Sequence, residues 1–198
     1  KTDLNEIIMF DMDNTLTPAS DLIEDQMILY LINLRSKGYR LGIVTGASQE
    51  KLFNQIPQEI RFLFDFLFSE NGQVEYRVIG DGGIQKASRI RDYLGEQDHD
   101  QFVAWLENYC REYKIKEKAD IYCEARTATI NITPLGRTCS REQREWFVAK
   151  DQESRILNKI IATVQKQFPD LAEKLSFAVG SQISIDIFPK DCDKRACL

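Results

Sequence analysis

Histidine and paired cysteine are nearly missing from this chain. His99 is the single histidine, and the 5 cysteines (Cys110, Cys123, Cys139, Cys192 and Cys197) are odd in number and contain no C-x-x-C spacing. That excludes a zinc site and a disulfide framework, and a reducing cytoplasm is the expected setting. His99 lies among Gln97, Asp98 and Asp100, where a solvated helix start is expected rather than a catalytic role. Excess basic charge is missing too. A net charge of −5 and a pI near 5.1 argue against a general nucleic-acid binder, because affinity for a phosphate backbone is built from accumulated Lys and Arg, so any anion recognition must be local. No apolar stretch reaches membrane-spanning length, since even the aromatic run 60–68 is broken by Arg61 and Asp65, and no stretch reads as a signal peptide. What remains is 198 residues, 43% hydrophobic and 29% charged, enough for a substantial core and for two modest domains.

The most informative segment comes early. An apolar run, Ile-Ile-Met-Phe at 7–10, stops at Asp11-Met12-Asp13-Asn14-Thr15-Leu16-Thr17-Pro18. Strand periodicity points residues i and i+2 the same way, so Asp11 and Asp13 face one small volume at a strand tip. Crowded carboxylates repel, and a divalent cation normally sits between them. The pair suits phosphoryl transfer: one carboxylate attacks phosphorus while its neighbour protonates the leaving oxygen and later deprotonates the incoming hydroxyl. A polar strand-to-helix turn is the plainer alternative. Asn14 fits both readings, because it tolerates a left-handed backbone.

Strand and helix patterns alternate at first. Helical spacing over 21–36 stops at Lys37-Gly38, a strand over 39–44 ends in Thr45-Gly46-Ala47-Ser48, and a helix over 49–55 leads through Pro57 to an aromatic strand over 65–68. This is a parallel α/β arrangement, whose ligands collect at the C-terminal strand ends. Thr45 stands at such an end. Its hydroxyl and neighbouring amides suit a phosphate oxygen, or else Thr45 or Ser48 caps the helix.

After Ser69-Glu70-Asn71-Gly72 the pattern changes. A hairpin-like stretch carrying Gly80-Asp81-Gly82-Gly83 is followed by helices expected at 88–94 and 101–113 and strands at 120–125 and 129–132. A long helical section at 140–168 then precedes strands at 175–179 and 182–188. The expected architecture is α/β: a parallel-sheet core (1–81), an inserted α+β cap of antiparallel sheet and helices (82–186), and a return to the core (187–198). Within the cap, Arg126, Arg137 and Arg144 could grip a phosphate through their forked donors if they converge, or each could be solvated.

The strings FDMDNTLTPAS, FSENG, NITPLGRTCSREQRE and GSQISIDIFPKDCDKRACL resemble the eukaryotic-type phosphomannomutases of the haloacid dehalogenase (HAD) superfamily, essentially end to end. The first motif alone marks the superfamily, whereas the last two mark the phosphomannomutase branch. The resemblance implies a HAD-like Rossmannoid core with an inserted cap, Asp11 as nucleophile and Asp13 as general acid/base. It implies Thr45 as phosphate ligand, Lys194 as the lysine that steadies the nucleophile, and Arg126, Arg137, Arg144, Ser184 and Asp186 as ligands of the substrate's distal phosphate and sugar hydroxyls. Mg²⁺ held at Asp11 and Asp13, a hexose 1,6-bisphosphate activator, small hexose phosphate substrates and a homodimer through the cap, with Tyr122 at the interface, complete the expectation. No nucleic-acid or membrane partner is implied.

The chain departs from the family pattern at Asn14, where Gly is usual, at Ser20, where Arg is usual, and at Cys192 and Ala196, where aromatics are usual. The superfamily also carries a further acidic motif beyond the position of Leu198, so the 198-residue polypeptide alone is expected to be weakly active or inactive. Interconversion of mannose 6-phosphate and mannose 1-phosphate is the leading functional expectation. A sugar-phosphate phosphatase and a catalytically degenerate binding homologue are the alternatives.

Overall fold

The computed structural model describes residues 6–18, 21–79, 82–87, 89–113, 115, 120–180, 182–190 and 192. These form two compact units, one taking the residues through Ala87 together with Cys192, the other those from Arg89 to Lys190.

The first unit runs β1 (Ile7–Phe10), α1 (Asp25–Ser36), β2 (Arg40–Val44), α2 (Gln49–Gln55), α3 (Gln58–Arg61), β3 (Phe66–Ser69), β4 (Val74–Ile79) and β5 (Gly82–Ala87). Its sheet has the order β1-β2-β3-β4-β5; the first three strands are parallel and the last two add an antiparallel hairpin. Met12, Leu16, Leu31, Leu41, Ile43, Leu52, Ile56 and Leu67 share the unit's buried core. Helix α1 begins at Asp25 rather than at Asp21. Before it, Glu24 is extended and Ile23 N donates to Gln55 O, which ties this stretch to the end of α2. Gly38 ends α1 at φ 96°, the left-handed conformation that the Lys37-Gly38 stop requires.

The second unit runs α4 (Ile90–Leu94), α5 (Glu96–Glu112), β6 (Cys123–Ala125), β7 (Ile130–Ile132), α6 (Arg141–Ser154), α7 (Ile156–Gln167), α8 (Pro169–Lys174), β8 (Leu175–Gly180) and β9 (Ser184–Pro189). Its four strands form an antiparallel sheet in the order β6-β7-β9-β8. Alternation along the strands sends Ile130, Ile132, Ile185 and Ile187 into one core with Phe102, Leu106, Leu157, Ile160 and Val164 of α5 and α7. The opposite sheet face carries Asn131, Ser184 and Asp186, each one strand position away from those isoleucines, and Glu124, which pairs with Asn131.

Several expectations are corrected. Helix α5 starts at Glu96, directly after Gly95 at φ 87°, and His99 is buried inside it with Nδ1 2.9 Å from Asp100 Oδ1, not solvated. The section 140–168 is two helices. Arg155 at φ 50°, ψ 50° breaks it, and Asp151 Oδ1 accepts from Leu157 N at 2.8 Å, supplying an acceptor to the new helix start. A Ser140–Gln143 capping box opens α6, and Pro169 at the first position opens α8. The divides between units fall after Ala87 and after Lys190 rather than after Asp81 and Asp186. The reason is strand pairing: β5 is held along β4, and β9 is held between β7 and β8 to its end.

Candidate active site

The parallel register of β1, β2 and β3 places the chain following Phe10, Val44 and Ser69 at one edge of the first sheet. Asp11 and Asp13 follow β1, and Thr45 follows β2, at that edge. The loop after β1 winds tightly: Thr15, Leu16 and Thr17 all donate their amides to Met12 O, and Asn14 N donates to Thr17 O at 2.7 Å. Asn14 takes φ 61°, so its tolerance of the left-handed region is used. Met12 is fully buried and anchors the loop, while Asp11 is exposed.

Asp13 is held by residues that the sequence reading missed. Lys51 Nζ lies 2.7 Å from Asp13 Oδ2, and Gln55 Nε2 donates to Oδ1 at 3.1 Å. Gln55 is itself fixed, because Thr17 Oγ1 donates to its Oε1 at 3.0 Å. Lys51 and Gln55 stand four apart, one helical turn along α2, and so share a face. That i, i+4 pair of polar residues was the signal available in the sequence.

Thr45 is buried, and its Oγ1 accepts from Ala47 N at 3.1 Å. Ser48 is the α2 cap, accepting from Lys51 N at 3.3 Å, so the capping role falls to Ser48. The β3 tip is pinned to this turn by Asn71 N to Thr45 O and Glu70 N to Ala47 O, both 2.9 Å. Glu70 and Asn71 adopt φ 50° and 58°, backbone that side-chain-bearing residues rarely take and that clusters at functional sites. Lys194 lies outside the described residues, as do Ser20 and Ala196.

On the polar face of the second sheet, Arg126 and Arg137 converge on one carboxylate. Arg126 Nε lies 2.7 Å and Arg137 Nη1 2.8 Å from Glu124 Oε2. Arg137 Nη1 also donates to Asn131 Oδ1 at 2.6 Å, and Asn131 Nδ2 donates to Asp186 Oδ1 at 2.7 Å. Arg126 Nη1 stands 3.9 Å from the same Asp186 oxygen. Burial, the largest cause, holds the Arg137 guanidinium below its ordinary value; Glu124 opposes this, and Arg126 and Arg144 add to it. Arg144 is thus close enough to be felt electrostatically. Arg126 and Arg137 thus share Glu124, with Asp186 beside Arg126 on the same face. Ser184 lies across from Gly180 on the adjoining strand pair, on that same face. Glu124 and Asn131 were not foreseen, because what brings them to the arginines is cross-strand register, Glu124 opposite Asn131 and Asn131 opposite Asp186.

Two further groups of this unit lie apart from the arginine cluster. Tyr122 is buried at 7% exposure, with Glu107 of α5 accepting from its amide and the Arg111 guanidinium over its ring, so it serves the unit's own packing. Burial pushes the Cys123 thiol up to about 12, which leaves it protonated and unsuited to nucleophilic work at neutral pH.

Comparison with known proteins places the chain in a family. A family model described as eukaryotic phosphomannomutase matches residues 27–198. Phosphomannomutase 2 of Dictyostelium discoideum is 34% identical over 194 residues, covering 98% of this chain and 76% of that protein. The phosphomannomutase of Saccharomyces cerevisiae is 34% identical over 193 residues, covering 97% and 73%. Among solved structures, the C-terminal domain of Candida albicans trehalose-6-phosphate phosphatase is similar, with TM-score 0.59 and 17% identity over 96% of this chain and 58% of that one. A haloacid dehalogenase-like hydrolase from Bacteroides thetaiotaomicron gives TM-score 0.57 and 15% identity, covering 97% and 74%. At such identities the structures speak for the fold alone, which is HAD-like: a sheet of three parallel strands extended by an antiparallel hairpin, with helices, and a separate unit built on an antiparallel sheet. The chain thus spans about three quarters of the length of its curated relatives, and on sequence and fold together it belongs to the eukaryotic phosphomannomutase family of enzymes.

Proposed function

We propose that the protein interconverts mannose 6-phosphate and mannose 1-phosphate through a phosphorylated Asp11. A carboxylate oxygen of Asp11 attacks phosphorus as the bond from phosphorus to the leaving sugar oxygen breaks, and Asp13 delivers its proton to that oxygen. In the return step Asp13 takes the proton from an incoming sugar hydroxyl, whose oxygen attacks the phosphoryl group and regenerates the Asp11 carboxylate. A hexose 1,6-bisphosphate primes Asp11 and is the intermediate between the two monophosphates.

Hard oxygen donors at a strand tip suit Mg²⁺, although among the described residues no group of three or more His, Cys, Asp or Glu side chains converges on a metal position. Both side-chain oxygens of Asp13 face Lys51 and Gln55, so the Asp11 carboxylate and the main-chain carbonyl of Asp13 are the groups that would hold the ion. When bound it screens the phosphate from the Asp11 carboxylate. Thr45, at the neighbouring strand end, donates its hydroxyl to a phosphate oxygen, and Lys194 steadies the transferring group.

The observation that carries the mutase over the phosphatase reading is the arginine pair sharing Glu124. A mutase must recognise phosphate at both ends of its substrate, whereas hydrolysis needs no second anion site, and the chain carries an aspartate pair in one unit and an arginine-rich face in the other. Arg126, Arg137 and Arg144 bind the phosphate that is not reacting, while Ser184 and Asp186 bind sugar hydroxyls. A homodimer through the second unit belongs to the same reading and is checked by sedimentation.

The test follows ³¹P resonances of mannose 1-phosphate with Mg²⁺ and a trace of hexose 1,6-bisphosphate. Appearance of the 6-phosphate is expected, and inorganic phosphate as the main product would instead favour the phosphatase. Asp11→Asn should abolish turnover, and persistent turnover in that variant overturns the mechanism.

A further inference from the structure

The turn Thr45-Gly46-Ala47 that follows β2 is gripped from the tip of β3. Within the turn, Thr45 Oγ1 accepts from Ala47 N at 3.1 Å, so the hydroxyl hydrogen is left to point elsewhere. From outside, Asn71 N donates to Thr45 O and Glu70 N to Ala47 O, both at 2.9 Å. Glu70 and Asn71, at φ 50° and 58°, thus turn two successive amides onto one neighbouring loop, and this left-handed pair is the kind of backbone that accumulates at functional sites.

The Asn71 side chain adds a further grip. A Cβ built at Gly46 would stand 3.1 Å from Asn71 Oδ1 and 3.8 Å from its Cγ, so the space beside the glycine is filled by the Asn71 amide group. Gly46 has no side chain to restrict its own backbone, and Asn71 supplies the restriction from across the loop. We propose that Asn71 is a positioning residue for phosphoryl recognition: its amide on Thr45 O and its side chain over Gly46 fix the direction in which the Thr45 hydroxyl is offered to a phosphate oxygen. This rests on the reading of Thr45 as a phosphate ligand. Asn71 acts through the turn and not on the phosphate itself. A hydrogen bond weakens steeply as its angle opens, so a turn free to rock about Gly46 keeps its donor but loses its aim.

The test follows the NMR amide resonances of Gly46 and Ala47 while inorganic phosphate is added to the full chain. It needs no turnover, and it reads this turn rather than the arginine face. Wild type and Thr45→Val are titrated first. If the two bind alike, the phosphate reading of Thr45 fails and the proposal goes with it. If Thr45→Val binds more weakly, Asn71→Gly should raise Kd roughly tenfold, the scale of one hydrogen bond to a charged group. Glycine keeps the left-handed backbone and the amide donor at position 71, so the melting temperature should change little. Gly46 itself lies outside the left-handed region, and alanine fits its backbone. The double variant Gly46→Ala/Asn71→Gly therefore puts a Cβ into the vacated space, restricts the turn again and should recover most of the affinity. A double variant that binds no better than Asn71→Gly alone overturns the proposal. So does an unchanged Kd in Asn71→Gly, and if its melting temperature falls at the same time, Asn71 serves stability only.

Discussion

The two functional clusters are positioned by different means. At the aspartates, eight consecutive residues build most of the geometry: three amides converge on Met12 O, Asn14 takes the left-handed turn, and Met12 is the buried anchor. At the arginines almost nothing is local. Glu124, Asn131 and Asp186 come from three strands, and their contacts exist because register sets them side by side. A loop of this kind is conformationally self-sufficient but leaves its side chains mobile at the rim, so Asp13 borrows Lys51 and Gln55 from α2. A sheet face gives each side chain a fixed origin, and charge complementarity supplies the rest.

The sharpest way to break this comparison is at α2. Lys51→Met with Gln55→Leu removes the Lys51 and Gln55 contacts to Asp13 while keeping side-chain bulk and helix propensity. If the props orient the acid/base group, kcat should fall on the order of 10²-fold, the range a positioned acid or base contributes, with KM little changed. Lys51→Arg, which keeps a cation within reach of Asp13, should recover much of the loss. A double variant with wild-type kcat would show that the loop alone places Asp13.

This contrast also sets what could be read beforehand. Asp11, Asp13 and Asn14 were legible because a motif of consecutive residues carries them, and Thr45 because it stands at the end of a second strand pattern. The break at Arg155 was not legible, since nothing in a polar helical stretch marks a non-glycine residue for φ 50°; the Asp151 acceptor that stabilises the new start acts from the preceding helix turn. Glu124 and Asn131 were likewise missed, because antiparallel register is a property of two strands at once. Burial of His99 was missed for a related reason: a charged neighbourhood in sequence says little about which helix face meets the core.

A smaller effect tests the sheet side. Glu124→Gln keeps an acceptor between Arg126 and Arg137 but removes its charge, whereas Glu124→Ala removes both. If Glu124 sets the spacing of the guanidinium groups, Ala should weaken mannose 1-phosphate binding roughly tenfold and Gln much less. If Glu124 instead competes with the phosphate for the arginines, both variants bind more tightly, and the positioning account is wrong.

The smallest effects on stability come from two left-handed residues, one at the aspartate loop and one at a helix junction. Asn14 at φ 61° and Arg155 at φ 50° each hold a conformation that costs most L-residues about 1–2 kcal/mol. Glycine adopts it freely but is more flexible when unfolded, so Arg155→Gly should stabilise the protein by only a few tenths of a kcal/mol to about 1 kcal/mol, read as a rise in melting temperature. Catalysis should not respond to it, because Arg155 is exposed and its neighbours serve α6 and α7. Asn14→Gly should be close to neutral, since Asn already tolerates the region. Asn14→Val is the informative partner: a β-branched side chain cannot rest at that φ, and the strain of about 1–3 kcal/mol falls on the turn that carries both aspartates. Loss of turnover in Asn14→Val with a small loss of stability, beside a change in stability alone at Arg155, would separate a backbone constraint that serves chemistry from one that only joins two helices.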